Sequence, residues 1–292
     1  MNNKSVNSIG TTFLLLLVLS LFGCSNMLPK QTLQFEKDSR NPKFVFWYEQ
    51  NNNNEFLERL RSKFPIDSVV KNAQTDTERA FKIMNWVHNQ WEHDGDNVPK
   101  NNDAISILKE AREGGRFRCV EFGIVATATL NAIGLPARTI FLKTKDVETR
   151  EYGAGHVATE VFLNDLNKWA FLDVQFDIMP VLDGIPLNAV EFQRAIDNNP
   201  EQIELKTTWP VFLYDIEMQR RYIEFISKYL YYFGVNFDNR EGVEDVQLIG
   251  GKRALMLVPI GSKKPTVFQI VNPLDHFKYT HSLADFYAPP NE

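Results

Sequence analysis

The 292-residue sequence predicts an α+β fold in which a buried helix, with Cys119 in its first turn, is followed by a set of strands. Three observations predict it. From Cys119 the chain runs Val120-Glu121-Phe122-Gly123-Ile124-Val125-Ala126-Thr127-Ala128-Thr129-Leu130-Asn131-Ala132-Ile133, apolar on nearly every side, and Gly134 stands where a helix-ending C′ glycine belongs. Strand-like segments follow at 137–143, 156–163 and 168–174. Upstream, Thr75 and Glu78 form a capping box. Ala80, Phe81, Met84, Val87, His88 and Trp91 then recur at spacings of three and four, which predicts an amphipathic helix of about 16 residues.

Residues 1–23 read as an export signal. Lys4 lies in a short polar stretch, and residues 13–22 form an apolar run shorter than the roughly 20 residues a bilayer span needs. Leu21-Phe22-Gly23-Cys24 resembles a bacterial lipobox, which implies that Cys24 is the lipidated first residue of the mature chain. The competing reading is an uncleaved signal anchor with Cys24 at its edge. Ser25 offers no inner-membrane retention signal of the aspartate kind, so a two-membrane cell would hold the protein at its outer membrane. Residues 24–42 are polar and mixed, a tether between membrane and domain.

Residues 43–185 are expected to form the catalytic domain. Phe44-Val45-Phe46-Trp47-Tyr48 would be an edge strand or docking arm, and residues 55–64 a helix closed by Pro65. After the loop Glu92-His93-Asp94-Gly95-Asp96-Asn97, Asn102 would cap a short helix through Ile105, Leu108 and Ala111, stopped by Gly114-Gly115. Residues 143–155 are polar and bracketed by Gly153 and Gly155; they read either as a flap over the site or as an ordinary hairpin connection. Residues 186–292 would be a helical and β elaboration or a small second domain. In it, 189–196 look helical and 211–233 form a long aromatic-rich helix with Tyr222, Phe225, Ile226, Tyr229, Leu230 and Phe233 on one stripe. Residues 254–260 and 266–271 suggest a hairpin around Gly261-Ser262-Lys263-Lys264-Pro265.

Composition narrows the function. With 43% hydrophobic and 24% charged residues the chain is an ordinary globular protein, and a net charge of -5 without a basic cluster excludes a nucleic-acid footprint. There are two cysteines. If Cys24 carries lipid, Cys119 has no disulfide partner and is either an inert buried side chain or a reactive thiol. A helix N-terminus favours the thiolate, and its open N–H groups can receive an oxyanion. A histidine is also needed. If 156–163 and 168–174 pair as a hairpin, a two-residue loop sets His156 opposite Asp173. A four-residue loop, Asn164-Asp165-Leu166-Asn167, sets Asp173 opposite Ala158. Either register leaves His156 and Asp173 on the same face, where a carboxylate can orient an imidazole.

Arg118-Cys119-Val120-Glu121-Phe122, Gly134-Leu135-Pro136-Ala137-Arg138, Gly155-His156-Val157-Ala158-Thr159-Glu160-Val161 and Trp169-Ala170-Phe171-Leu172-Asp173 together resemble the transglutaminase-like domain family over about residues 70–178. The resemblance implies a papain-like core in which the cysteine helix packs on an antiparallel sheet, with Cys119 as nucleophile, His156 as general base and acid, and Asp173 as its orienter. Arg118 departs from the small residue many members have before the cysteine, which bears on the shape of the entrance. Gln90 and Trp91 are candidates for a second oxyanion donor.

Other residues carry structural readings. His88 and His93, five apart, lack a third zinc ligand, and residues 94–97 lack the remaining positions of a calcium loop. Arg138 is expected in a structural ion pair rather than as a substrate clamp, and Glu160, on the face of His156, in a salt bridge. His276 and His281 are expected at the surface. No metal or cofactor is implied. The sequence thus predicts a cell-envelope, lipid-anchored thiol-dependent amide hydrolase acting on a protein or peptide substrate, cell-wall peptides included. A crosslinking transglutaminase or acyltransferase, or a peptide- or glycan-binding module with a vestigial triad, is the alternative.

Overall fold

The computed structural model describes residues 33–49, 54–210 and 216–290, so the expected export signal, Cys24 and the start of the expected tether lie outside the described residues. Five helices come first: α1 (Glu55–Lys63), α2 (Ile66–Val70), α3 (Asp76–His88), α4 (Ala104–Arg112) and α5 (Cys119–Ala132). Strands β1 (Ala137–Lys143), β2 (Gly155–Leu163) and β3 (Lys168–Leu172) follow, then β4 (Met179–Leu182), β5 (Ile185–Pro186), α6 (Ala189–Asn198) and β6 (Ile203–Lys206). The chain closes with α7 (Ile216–Ile226), β7 (Tyr232–Asn236), β8 (Ala254–Leu257), β9 (Val267–Phe268), β10 (Asn272–Pro273), β11 (Phe277–Thr280) and α8 (Leu283–Phe286).

Side-chain chemistry sets the helix starts. Asn54 Oδ1 accepts from the Phe56 and Leu57 amides, and Thr75 Oγ1 accepts from Glu78 N at 3.1 Å. The Glu78 carboxylate reaches one residue further back than a capping box requires, to Gln74 N at 2.7 Å. This helix ends at His88, short of Trp91. Asp103 rather than Asn102 caps α4, its Oδ1 accepting from Ser106 N at 3.0 Å; a carboxylate there also complements the positive helix end.

Helix α5 is apolar all round because it is buried all round. It ends in a Schellman motif, with Leu135 N donating to Leu130 O and Gly134 N to Asn131 O, both at 3.0 Å, and Gly134 takes φ +77°. On its sheet side Gly123 permits a close approach, since a Cβ there would stand 2.9 Å from Val157 Cγ1 and 3.2 Å from Thr139 Cγ2.

The main sheet runs β11-β8-β7-β1-β2-β3, with helices on both faces. Helices α1 to α5 share one core with Ala137, Val161, Leu163, Ala170 and Leu172; the opposite face packs Ile140, Ala158, Phe171 and Phe233 against α6 and α7. The β2–β3 hairpin takes the four-residue loop, pairing Leu163 with Lys168. Pairing is antiparallel except at the edge, where β11 joins β8 in parallel, so the sheet is mixed rather than wholly antiparallel.

Two C-terminal expectations are overturned. The long helix expected over 211–233 is helical only across α7 within the described residues, 211–215 lying outside them, and Tyr232–Asn236 instead is the strand between β1 and β8. Its aromatic run satisfies either period, and the open side of β1 supplies the hydrogen bonds that make strand the lower-energy choice. The hairpin expected from 254–260 and 266–271 does not form: β8 pairs with β7 and β11, while β9 pairs with β10. Pro259 and Pro265 remove donors from that ladder. Phe44 to Tyr48 form an arm tied by one bridge, Trp47 N donating to Phe237 O and Asn239 N to Trp47 O, both at 2.8 Å. The connection between β1 and β2 is fastened to the C-terminal segment: Gln269 accepts from Ala154 N, donates from its amide to Glu151 O, and its backbone N–H bonds Val147 O.

Arg138 and Glu160 face each other across β1 and β2, both fully buried. Glu160 Oε2 accepts from Arg138 Nη2 at 2.7 Å and Nε at 3.1 Å, and its Oε1 accepts from Ala189 N and the Tyr287 hydroxyl. Arg138 Nη1 donates to Phe286 O at 2.8 Å, and the guanidinium lies 4.1 Å from the centre of the Trp169 ring. This is the structural ion pair expected for these two residues. Glu160→Gln would leave a buried cation uncompensated and is expected to cost about 3–5 kcal/mol in denaturant unfolding; a loss below about 1 kcal/mol would refute the assignment.

Candidate active site

The site begins at the first residue of α5. Cys119 is partly exposed there, preceded by Arg118 at the N-cap. Arginine has no side-chain acceptor to offer the helix end. Its own groups turn to Glu121 instead: Arg118 N donates to Glu121 Oε2 at 3.0 Å, and the guanidinium bonds both carboxylate oxygens at 2.7 and 3.2 Å. The first-turn N–H groups beside Cys119 therefore carry no side-chain cap. Arg118 thus leans on Glu121.

Gly155 and His156 open β2, and Asp173 lies just past the end of β3. His156 Nε2 is 2.9 Å from Asp173 Oδ2, with both side chains buried. With Nε2 so engaged, Nδ1 is the ring atom left for the thiol. Burial alone would push the ring down, but the Asp173 charge and hydrogen bond, joined by a hydrogen bond from Cys119, outweigh it and raise His156 to about 10. Asp173 is itself clamped. Its backbone exchanges hydrogen bonds with Ile178 at 2.8 and 3.0 Å, and Tyr222 Oη donates to the same Oδ2 at 2.9 Å.

Aromatic rings enclose the imidazole on the side away from α5. Phe225 meets it edge-on at 5.4 Å between centroids, with Tyr229 at 5.7 Å and Phe176 at 6.1 Å. The helical spacing sets Tyr222, Phe225 and Tyr229 on one stripe, which by itself reads as ordinary core. In the structure that stripe is the wall of the site, which no local pattern foretells because none says against which strand a helix will pack.

On the other side, a cavity of about 610 Å³ reaches from Cys119 and Val120 over Phe141, Lys143 and Val157 to Phe268, Leu274, His276 and Phe277. His276, expected at the surface, is half-exposed at its rim. Lys143 was not singled out from sequence, since a lysine ending a strand ordinarily reaches solvent.

The remaining candidates fall elsewhere. Gln90 donates to Trp86 O at 2.7 Å, Trp91 stacks on Phe122 at 4.4 Å, and neither lines the cavity. His88 Nδ1 lies 3.1 Å from Val174 O. Asp94 Oδ1 accepts from Asp96 N and Asn97 N, closing a turn. His281 Nδ1 is 2.7 Å from Val258 O and is partly buried rather than a surface group.

Residues 66–174 match the model of the transglutaminase-like superfamily. Among solved structures, a "putative cysteine protease" from Cytophaga hutchinsonii is similar at 14% identity and a TM-score of 0.34, over 52% of this chain and 47% of that one. A "putative protease" from Parabacteroides distasonis is similar at 14% identity and a TM-score of 0.30, over 40% of this chain and 25% of that one. The chain thus spans about half the length of the first and a quarter of the second. No curated protein matches it.

A ring raised to about 10 in the folded state, against about 6.5 when free, contributes stability that is whole below pH 6.5 and lost as pH rises toward 10. In a Cys119→Ala background, which removes the thiol, the His156 ring is expected to remain protonated through neutral pH by NMR titration. Adding Asp173→Asn leaves burial dominant and should bring the ring below its free value. A ring titrating near 6.5 in both proteins would contradict the pairing.

Proposed function

We propose that the protein is a thiol-dependent amide hydrolase in which Cys119, His156 and Asp173 act as a triad. The observation that carries this reading is the buried 2.9 Å pairing of His156 Nε2 with Asp173, set beside a partly exposed Cys119 that opens on a cavity. The Cys119 sulfur, as thiolate, attacks the carbonyl carbon of an amide, and the first-turn N–H groups of α5 receive the developing oxyanion. His156 gives its proton to the departing amine as the C–N bond breaks, leaving a thioester. His156 then takes a proton from water, which adds to the thioester carbonyl; the C–S bond breaks and the carboxylic acid departs. An amine acting in place of water would make the same site a transferase. Hydrolysis is the reading adopted, because water is always present and the sequence offers no separate amine site. Asp173 and Tyr222 hold the imidazole in place throughout.

The substrate proposed is a protein or peptide of the cell envelope, met by an enzyme anchored through lipid on Cys24. A thiol-reactive amide-like probe should label the wild type, and Cys119→Ala should lose both labelling and turnover. Asp173→Asn should lower kcat by about 10³-fold or more with Cys119 still present. Equal labelling of wild type and Cys119→Ala would sink the enzyme reading and favour a binding module. Cys24→Ser should shift the protein from the membrane to the soluble fraction on cell fractionation, and a protein that stays membrane-bound would refute the anchor.

A further inference from the structure

We propose that the cavity beside Cys119 is a subsite for a carboxylate carried by the substrate, held by the ammonium of Lys143. The inference rests on Cys119 being the nucleophile and adds the substrate class. Lys143 lies on the β1 face that looks toward α5, in line with Phe141 and with Thr139, which hydrogen-bonds Thr127 of that helix. Its side chain is only 6% exposed and lines the cavity. Among the described residues the ammonium makes no hydrogen bond or ion pair. It rests instead over two rings, 5.7 Å from the centre of Phe141 and 5.1 Å from that of Phe277.

Lysine is rarely buried without an anion, because an unpaired charge loses its hydration without return. Burial pulls this ammonium down to about 8, which leaves most of it charged at neutral pH. No aspartate or glutamate lines the cavity, and its other basic groups are Arg253, His276 and the His156 ring, which is already paired with Asp173. The protein as a whole is acidic, with a net charge of -5, whereas the lining of this cavity carries no carboxylate. The walls are built to hold this shape. Phe277 presses on Gly234 and Phe268 on Gly155, where a Cβ would stand 2.8 and 3.0 Å from the respective rings. A peptide whose amide sits at Cys119 would extend a carboxylate, from an acidic side chain or a free C-terminus, between those rings to Lys143.

The test uses the full chain and three bromoacetyl probes, those of glycine, β-alanine and 4-aminobutyrate, each compared with its carboxamide. The rate of alkylation at Cys119 is read by peptide mass mapping. At one arm length the acid should react about tenfold faster than its carboxamide. That ratio should fall to about one in Lys143→Met and survive in Lys143→Arg. Bromoacetyl dipeptides bearing the carboxylate on a glutamate side chain or at the C-terminus then separate the two sources. Should Lys143→Met not fold, the wild type still decides: glutarate should slow alkylation by the carboxamide probe, and glutaramide should not. An acid-to-amide ratio near one at every length, or one unchanged in Lys143→Met, overturns the subsite. Carboxamide rates no faster than those of free cysteine count instead against Cys119 as an activated nucleophile, and the ratios still judge Lys143.

Discussion

A fully buried cation is tolerable only if every part of its charge is met, and Arg138 imposes that condition on the whole chain. Its guanidinium is answered by Glu160 on the neighbouring strand, by the Phe286 carbonyl near the C-terminus and by the face of Trp169. Glu160 in turn requires the Ala189 amide at the start of α6 and the Tyr287 hydroxyl. Such pairs add little net stability, since desolvation consumes much of their attraction, but they are unforgiving of partial assembly. Segments near residues 138, 160, 189 and 286 must arrive together, so the chain beyond β3 is joined to the first three strands by necessity rather than by surface contact.

The site inherits its geometry from that frame. His156 lies on β2 four residues before Glu160, on the same face, and is carried to a fixed place when Glu160 is seated. From the opposite face α5 comes down onto Val157 and Thr139 at Gly123, one turn beyond Cys119. The helix thus sets the sulfur at the end of β2 where the imidazole stands. Rigid elements place both groups, and only Asp173 depends on a turn. That turn is pinned by paired hydrogen bonds to Ile178 and by the Tyr222 hydroxyl. Positioning of this kind matters because misplacements near 1 Å can be costly in rate.

Much of this was legible from residue order. Helix α5 was visible because burial on all sides leaves no polar stripe, and its end because a Schellman turn calls for a glycine at position 134. The shared face of His156 and Asp173 followed from strand parity, which is insensitive to the loop length that sequence left open. The C-terminal part was far less legible. The run from Tyr229 to Val235 fits a helical stripe and a strand almost equally, and pairing with the distant β1 decides between them. The partner of β8 was hidden for the same reason, since a parallel edge strand leaves no turn signal. Capping residues were misplaced by one position, as at Asn102 and Asp103, because adjacent polar residues compete for the same amide.

The division between what was and was not legible follows the division of labour in the site. Residues 66–174, the segment matching the superfamily, contain the thiol, the imidazole and the carboxylate. The surroundings that adjust them come from outside it. Phe225 and Tyr229 desolvate the ring, Tyr222 loads the carboxylate, and Phe268, Phe277 and His276 bound the cavity. Desolvation lowers an imidazole while a buried carboxylate raises it, so where His156 titrates is set by the balance of the two. A chain ending at residue 174 would retain all three polar groups but would open the His156–Asp173 pair to water, where high dielectric weakens it severalfold. The electrostatic state of the site therefore rests on the polar groups of residues 66–174 and on the burial that α7 and Tyr229 add, and the second is the part least readable in the sequence.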